Sequence, residues 1–195
     1  MFTGIITHTG KINKIIRSKK NCTIEVESAM KFNKKEIGSS ISCSGACLTL
    51  EENKRNSLKF YLSKETLKRT IFNSSRIGDI INLEKSMKFG NRLSGHFVQG
   101  HVDTTSRILK IAHIGKSWLI TFKLPNKYKK FLINKGSITI NGISLTISNI
   151  FENSFDVSVV PHTLKLTNII KMKVKDKVNI EFDVLGKYIK NFLKK

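Results

Sequence analysis

The chain has 195 residues, of which 39% are hydrophobic and 25% charged, with only 12 glycines and 2 prolines. This balance excludes a disordered, collagenous or low-complexity polymer, and the length admits one large domain or two of roughly 90 residues. The formal net charge of +21 suggests a phosphate-rich partner. However, the abundant Lys (29), Ile (26) and Asn (16) all have A/T-rich codons, Arg numbers only 6, and the lysines are scattered. A solvated basic surface is therefore favoured over a nucleic-acid groove.

The chain opens MFTGIITHTGKINK, which lacks the charged and apolar regions of an export signal. No apolar run approaches the ~20 residues that span a bilayer, so a cytoplasmic location is expected. Cys22, Cys43 and Cys47 are an odd number of cysteines, and reduced thiols are expected. The Cys43/Cys47 pair lacks C-x-x-C spacing and nothing nearby completes a four-ligand set, so no metal is assigned.

An internal repeat organises the chain. ISCSGACLTL (41–50) resembles ITINGISLTI (138–147) at an offset of 97, from Gly45 to Gly142. The same offset aligns Ser40 with Ser137, Thr66 with Thr163, Asn82 with Asn179 and Glu84 with Glu181. Applied without a gap to the start of the chain, it sets Gly4 against His101. With two copies, the chain reads as two sibling domains rather than a solenoid.

Each copy reads as β. SLKFYLS (57–63), DIINLEK (79–85), SITINGISLTI (137–147), SFDVSVV (154–160) and KVNIEFDV (177–184) are short, β-branched and roughly alternating. Strands at such spacing point to closed or nearly closed antiparallel barrels. The Asn141-Gly142 pair fits either a hairpin turn or a bulge. Helix is expected in one turn near KETLKRT and its copy PHTLKLT, and in a final stripe of Leu185, Tyr188, Ile189, Phe192 and Leu193. So short a helix is marginal alone and must pack on something.

If both copies bind a similar ligand, differences between equivalent positions mark differences of role. Cys47 faces Ser144, each followed by Leu-Thr. Their bland readings are a buried small hydrophobe and a strand hydroxyl. His96 reads as a satisfied structural histidine, whereas His101, beside Gly100 and Asp103, is the better acid–base group. Asp183 reads as a helix cap or a ligand contact.

MFTGII, GACLTL, GHFVQGHVDTT, KGSITINGISLT and PHTLKLTN together resemble riboflavin synthase of the alpha-chain type, over the whole chain. The resemblance implies an all-β fold of two tandem six-stranded antiparallel Greek-key barrels, at 1–93 and 94–184, with an oligomerisation helix at 185–195. It implies a cytoplasmic homotrimer, an association with lumazine synthase, and no metal or organic cofactor. The implied reaction passes a four-carbon unit between two molecules of 6,7-dimethyl-8-ribityllumazine, giving riboflavin and 5-amino-6-ribitylaminouracil.

By the same resemblance, one pocket is built from Cys47, Leu48 and Thr49 with Tyr61, Leu62, Ser63, Lys64, Glu65 and Thr66, joined by His101, Val102 and Asp103. The other uses Ser144, Leu145 and Thr146 with Ser158, Val159, Val160, Pro161, His162 and Thr163, joined by Gly4, Ile5 and Ile6. Lys135 reaches in from a neighbouring chain. His101, Cys47, Ser144, Ser40 and Asp183 are the implied catalytic groups. Ser94, Ser44 and Thr104 depart from the family pattern, where Gly, Asn and Gly are usual. Two competing readings remain: a lumazine- or flavin-carrying protein of the same fold, and a basic barrel that binds nucleic acid.

Overall fold

Alternation along the strands dictates the architecture. In SLKFYLS, Leu58, Phe60 and Leu62 are all fully enclosed while the residues between them face outward, so one face of the strand demands a core. The computed structural model describes residues 1–19 and 21–193, and in it this demand is met twice. The first barrel consists of β1 (His8–Arg17), β2 (Asn21–Ser28), β3 (Ser40–Cys43), β4 (Ala46–Lys54), β5 (Ser57–Ser63) and β6 (Ile80–Lys85). The second consists of β7 (Thr104–Ile114), β8 (Ser117–Lys123), β9 (Ser137–Ile140), β10 (Ile143–Ile150), β11 (Ser154–Val159) and β12 (Lys177–Phe182). Each sheet closes antiparallel, in the order β1-β2-β5-β4-β3-β6 and its equivalent β7-β8-β11-β10-β9-β12, leaving no open edge.

Among the described residues three α-helices accompany the barrels: α1 (Lys64–Arg69), α2 (Pro161–Leu166) and α3 (Val184–Phe192). Ser63 caps α1 by accepting the Thr66 N–H at 3.2 Å, and Pro161 opens α2 where no intrahelical N–H is needed. The helix expected over 185–195 begins one residue earlier, and its last two residues, 194 and 195, lie outside the described residues. Among the described residues no helix is long and apolar enough to cross a membrane.

The choice between hairpin and bulge is decided for the hairpin. Ser44 and Gly45 have φ of 43° and 83°, and Asn141 and Gly142 have 47° and 81°, the left-handed pair of a two-residue β-hairpin. Asn141 Oδ1 accepts the N–H of Asn179 at 2.8 Å, and Ser44 Oγ accepts that of Asn82 at 3.1 Å. Ser44 thus fills the place that Asn141 has in the second barrel by making the equivalent bond.

The gapless repeat needs correction. In β3 through β6 the 97 offset holds, but β1 and β2 match β7 and β8 one residue closer. Ile12 and Ile108 both donate to the carbonyl of the aspartate before the last strand, Asp79 and Asp176, and Ile12 pairs with Val26 as Ile108 pairs with Phe122. The connection at 125–136 is one residue longer than its counterpart at 29–39, which absorbs the difference. At the start of the chain the true partner of Gly4 is therefore Gly100, and that of His101 is Ile5.

A buried seam joins the barrels. Asn82 Nδ2 donates to Asn141 O at 2.9 Å and to Asn168 Oδ1 at 3.0 Å, while Asn179 Nδ2 donates to Ser44 O at 2.8 Å. Asn179 Oδ1 in turn accepts the N–H of Ile71 at 2.8 Å. Each of these amides reaches into the other repeat, and their mutual satisfaction keeps the burial from costing stability.

Candidate functional site

The two segments that precede the barrels are exchanged. Phe2 and Val98 bond each other as an isolated antiparallel bridge, so the chain start and the inter-barrel segment run side by side. From there Ile6 enters the core of the second barrel, and Val102 packs against the core of the first. Cys47 N–H on β4 donates to Gly100 O at 2.8 Å, and Ser144 N–H on β10 donates to Gly4 O at 2.8 Å. The structure therefore brings Cys47 beside the 100–102 segment and Ser144 beside the 4–6 segment.

Two buried carboxylates hold these segments in place. Glu84 on β6 accepts the Thr3 N–H and hydroxyl at 2.7 Å each and the Gly4 N–H at 3.0 Å. Glu181 on β12 accepts the Gln99 N–H at 2.7 Å and the Gly100 N–H at 2.9 Å. Burial pushes both carboxyls above their ordinary range, opposed by the N–H groups they accept. In the sequence these glutamates serve only to support the repeat. An acidic residue at the same place in the last strand of each barrel is the signal that they do more.

The remaining candidate residues differ in exposure. Thr49 and Thr146 stand exposed on β4 and β10, and Thr49 pairs with Ser40 across β3 and β4. Tyr61, Lys64 and Glu65, like Ser158, Val160, Pro161 and His162, are exposed at equivalent places where a strand passes into a short helix, with Ser63, Thr66 and Thr163 half-buried beside them. Leu48, Leu62, Leu145, Val159 and Ile6 are buried in the barrel cores. His101 and Ile5 are exposed.

Asp183 is the N-cap of α3, accepting the Leu185 N–H at 3.0 Å. Asp103 is also occupied: Oδ2 accepts the Phe182 N–H at 2.8 Å and lies 2.6 Å from Lys187 Nζ, which ties α3 back to the inter-barrel segment. Lys135 is exposed in the turn before β9, its N–H bonded to Ile147 O at 3.0 Å. Leu185, Tyr188, Ile189 and Phe192 are between 55% and 69% exposed, leaving the apolar stripe of α3 without cover among the described residues.

His96, read from the sequence as a satisfied structural histidine, has both ring nitrogens partnered. It is 8% exposed, with Nδ1 at 2.7 Å from Ser144 Oγ and Nε2 at 3.1 Å from Thr139 Oγ1. Burial lowers its pKa, partly opposed by the Asp183 carboxylate, so the ring is held neutral.

Comparison with known proteins follows the same division of the chain. The lumazine binding domain family matches twice, at residues 3–86 and 99–183. The riboflavin synthase of Photobacterium leiognathi is 40% identical over 195 residues, covering 100% of this chain and 89% of the relative. That of Bacillus subtilis (strain 168) is 36% identical over 195 residues, covering 100% and 91%. Among solved structures, LumP complexed with 6,7-dimethyl-8-(1'-D-ribityl) lumazine superposes with a TM-score of 0.81 at 22% identity, covering 93% of this chain and 98% of that one. At that identity the likeness to LumP carries the fold alone.

Proposed function

The chain belongs to the riboflavin synthase family, a transferase of four-carbon units, and from that premise we propose that each barrel holds one lumazine. The observation that carries this reading is the exchange of segments. Cys47 with Gly100 and Ser144 with Gly4 form two nearly equivalent half-sites with different reactive groups. A reaction between two copies of one substrate needs such a pair: alike in shape, unlike in chemistry.

The first half-site comprises Cys47, Thr49 and Ser40 with the 61–66 segment, Val102 and His101; the second comprises Ser144, Thr146, the 158–163 segment and residues 4–6. The C7 methyl of the lumazine is acidic because its carbanion delocalises into the ring, so a modest base such as His101 suffices to take the proton. The candidates to supply or activate the group that adds to ring carbon 7 of the other molecule are Cys47, Ser144 and Ser40. Thr49 and Thr146 offer hydroxyls to the pyrimidine edge, and Asp183 orients hydroxyls near α3. Holding the two rings face to face replaces a bimolecular encounter, for which effective molarities reach ~10⁵ M or more.

In this proposal the chain divides into barrels at 1–93 and 94–184 and a helix from 185, and three chains assemble through the open stripe of α3. The working site then lies between the first barrel of one chain and the second barrel of its neighbour, with Lys135 reaching across. A cytoplasmic location, where the three free thiols stay reduced, and an association with lumazine synthase belong to the same proposal. Mixing His101→Ala subunits with Ser144→Ala subunits tests the shared site. Restored turnover after subunit exchange is expected, because one interface then pairs two intact halves; a mixture as inactive as its parents would place both halves in one chain.

A further inference from the structure

We infer that His96 is a positioning residue for Ser144. Its ring, fixed by Thr139 with the proton on Nδ1, donates to the serine oxygen and leaves the serine's own hydrogen free for an acceptor atom of the bound ligand. The inference rests on the reading of Ser144 as a site residue and says which way its hydrogen bond runs.

Strand register sets up the contact. Thr139 on β9 pairs with Ser144 on β10, so the two hydroxyls lie on one face of the hairpin, and the imidazole bridges them. The backbone that carries the ring is pressed against the same spot. His96 N–H donates to Thr3 O at 3.2 Å, and a Cβ on Gly95 would lie 2.0 Å from Thr3 O and 2.9 Å from Ser144 Cβ. Nothing larger than glycine fits there, so the ring is delivered by a tightly located loop.

Thr139 decides the tautomer. The residue is 1% exposed, and among the described residues His96 Nε2 is the only hydrogen-bond partner of its hydroxyl. Were the proton on Nε2, the threonine hydroxyl would accept it and its own hydrogen would be buried without an acceptor, which costs free energy that the other tautomer avoids. With Nε2 bare, the threonine donates to it and every group is matched. The proton then sits on Nδ1, which donates to Ser144 Oγ. The ring cannot at the same time take the serine's proton, so Ser144 acts as a hydrogen-bond donor to ligand rather than as an activated nucleophile.

The first barrel has no such bridge. At the equivalent places Ser42 pairs with Cys47, and Ser42 Oγ is buried without a partner among the described residues. The imidazole clamp therefore distinguishes the two half-sites, one holding an oriented hydroxyl and the other a thiol.

Nitrogen-15 NMR of the intact protein reads the tautomer directly. A protonated Nδ1 and bare Nε2 on His96 are expected, and the reverse assignment overturns the inference. Kinetics supply the second arm. Asn places a polar group where Nδ1 stood, and Gln where Nε2 stood. His96→Asn should keep kcat within about threefold, while His96→Gln should lose about tenfold in kcat with little change in KM. A merely space-filling role would favour the larger Gln instead, and that order overturns the inference. In a Ser144→Ala background, His96→Gln should cost nothing further; a full additional loss also overturns it. Thr139→Val, which acts only through the ring, should lower kcat if the His96 variants fail to fold. Unchanged turnover in Ser144→Ala alone would instead sink the reading of Ser144 as a site residue.

Discussion

Gly45 and Gly142 face one another across the two barrels, each placed so that a Cβ built on it would lie 2.8 Å from the amide nitrogen of the other. Their hairpins belong to different repeats, so this approach fixes how the halves meet, and the Asn82 and Asn179 amides bond across the same place.

Gly142→Ala should therefore cost more than backbone strain alone. Gly78, with φ of +99° and nothing within 4 Å of a built Cβ, is the control. Denaturant unfolding should show a loss of about 1 kcal/mol for Gly78→Ala and at least about 2 kcal/mol more for Gly142→Ala or Gly45→Ala. Equal losses would mean that the two glycines do not set the spacing of the barrels.

The carboxylate latches give the next prediction. Replacing Glu84 by Gln keeps one acceptor but turns an amide donor toward the Thr3 or Gly4 N–H, and should destabilise the protein by about 2 kcal/mol. Because Gly4 O receives the Ser144 N–H, turnover should fall as well. Glu181→Gln should do the same through Gly100 and Cys47. Denaturation melts and initial rates check both effects.

Residues with a periodic or repeated signature are legible in the sequence alone. The alternation in SLKFYLS and the doubled GACLTL and GISLTI motifs lead to two barrels, and the stripe from Leu185 to Phe192 leads to the terminal helix. The single extra residue at 125–136 is invisible there, because matches on either side of it disguise the shift from Gly4 and Gly100 to the later pairs. Glu84 and Glu181 match in the repeat, but their partners are loop N–H groups some eighty residues away. His96 looks ordinary because its meaning depends on the β9–β10 register, which sequence spacing does not disclose.

Acid should weaken the fold through His96. Burial sets its native pKa below the ordinary value near 6.5, so the stability it contributes is complete above that value. That contribution is lost as pH falls through the native pKa, because the unfolded chain binds the proton first. Thermal melts between pH 7.5 and 5.5 should show a steeper fall for the wild type than for His96→Gln; parallel falls would remove His96 as the cause.

The proposed trimer assembles through the apolar stripe of α3. Ile189, which is 60% exposed, should tolerate Asp within a single folded chain, yet Ile189→Asp should break the trimer and abolish most turnover. Sedimentation at matched concentrations reads the first effect and initial rates the second. An intact trimer would exclude α3 as the joint, and an active monomer would exclude the site shared between chains.

The most direct measurement is to incubate the purified protein with 6,7-dimethyl-8-ribityllumazine and follow both species by absorbance. One riboflavin is expected for every two lumazines consumed, with the rate much reduced in His101→Ala. Tight lumazine binding without riboflavin would contradict the account and leave a carrier of the same fold.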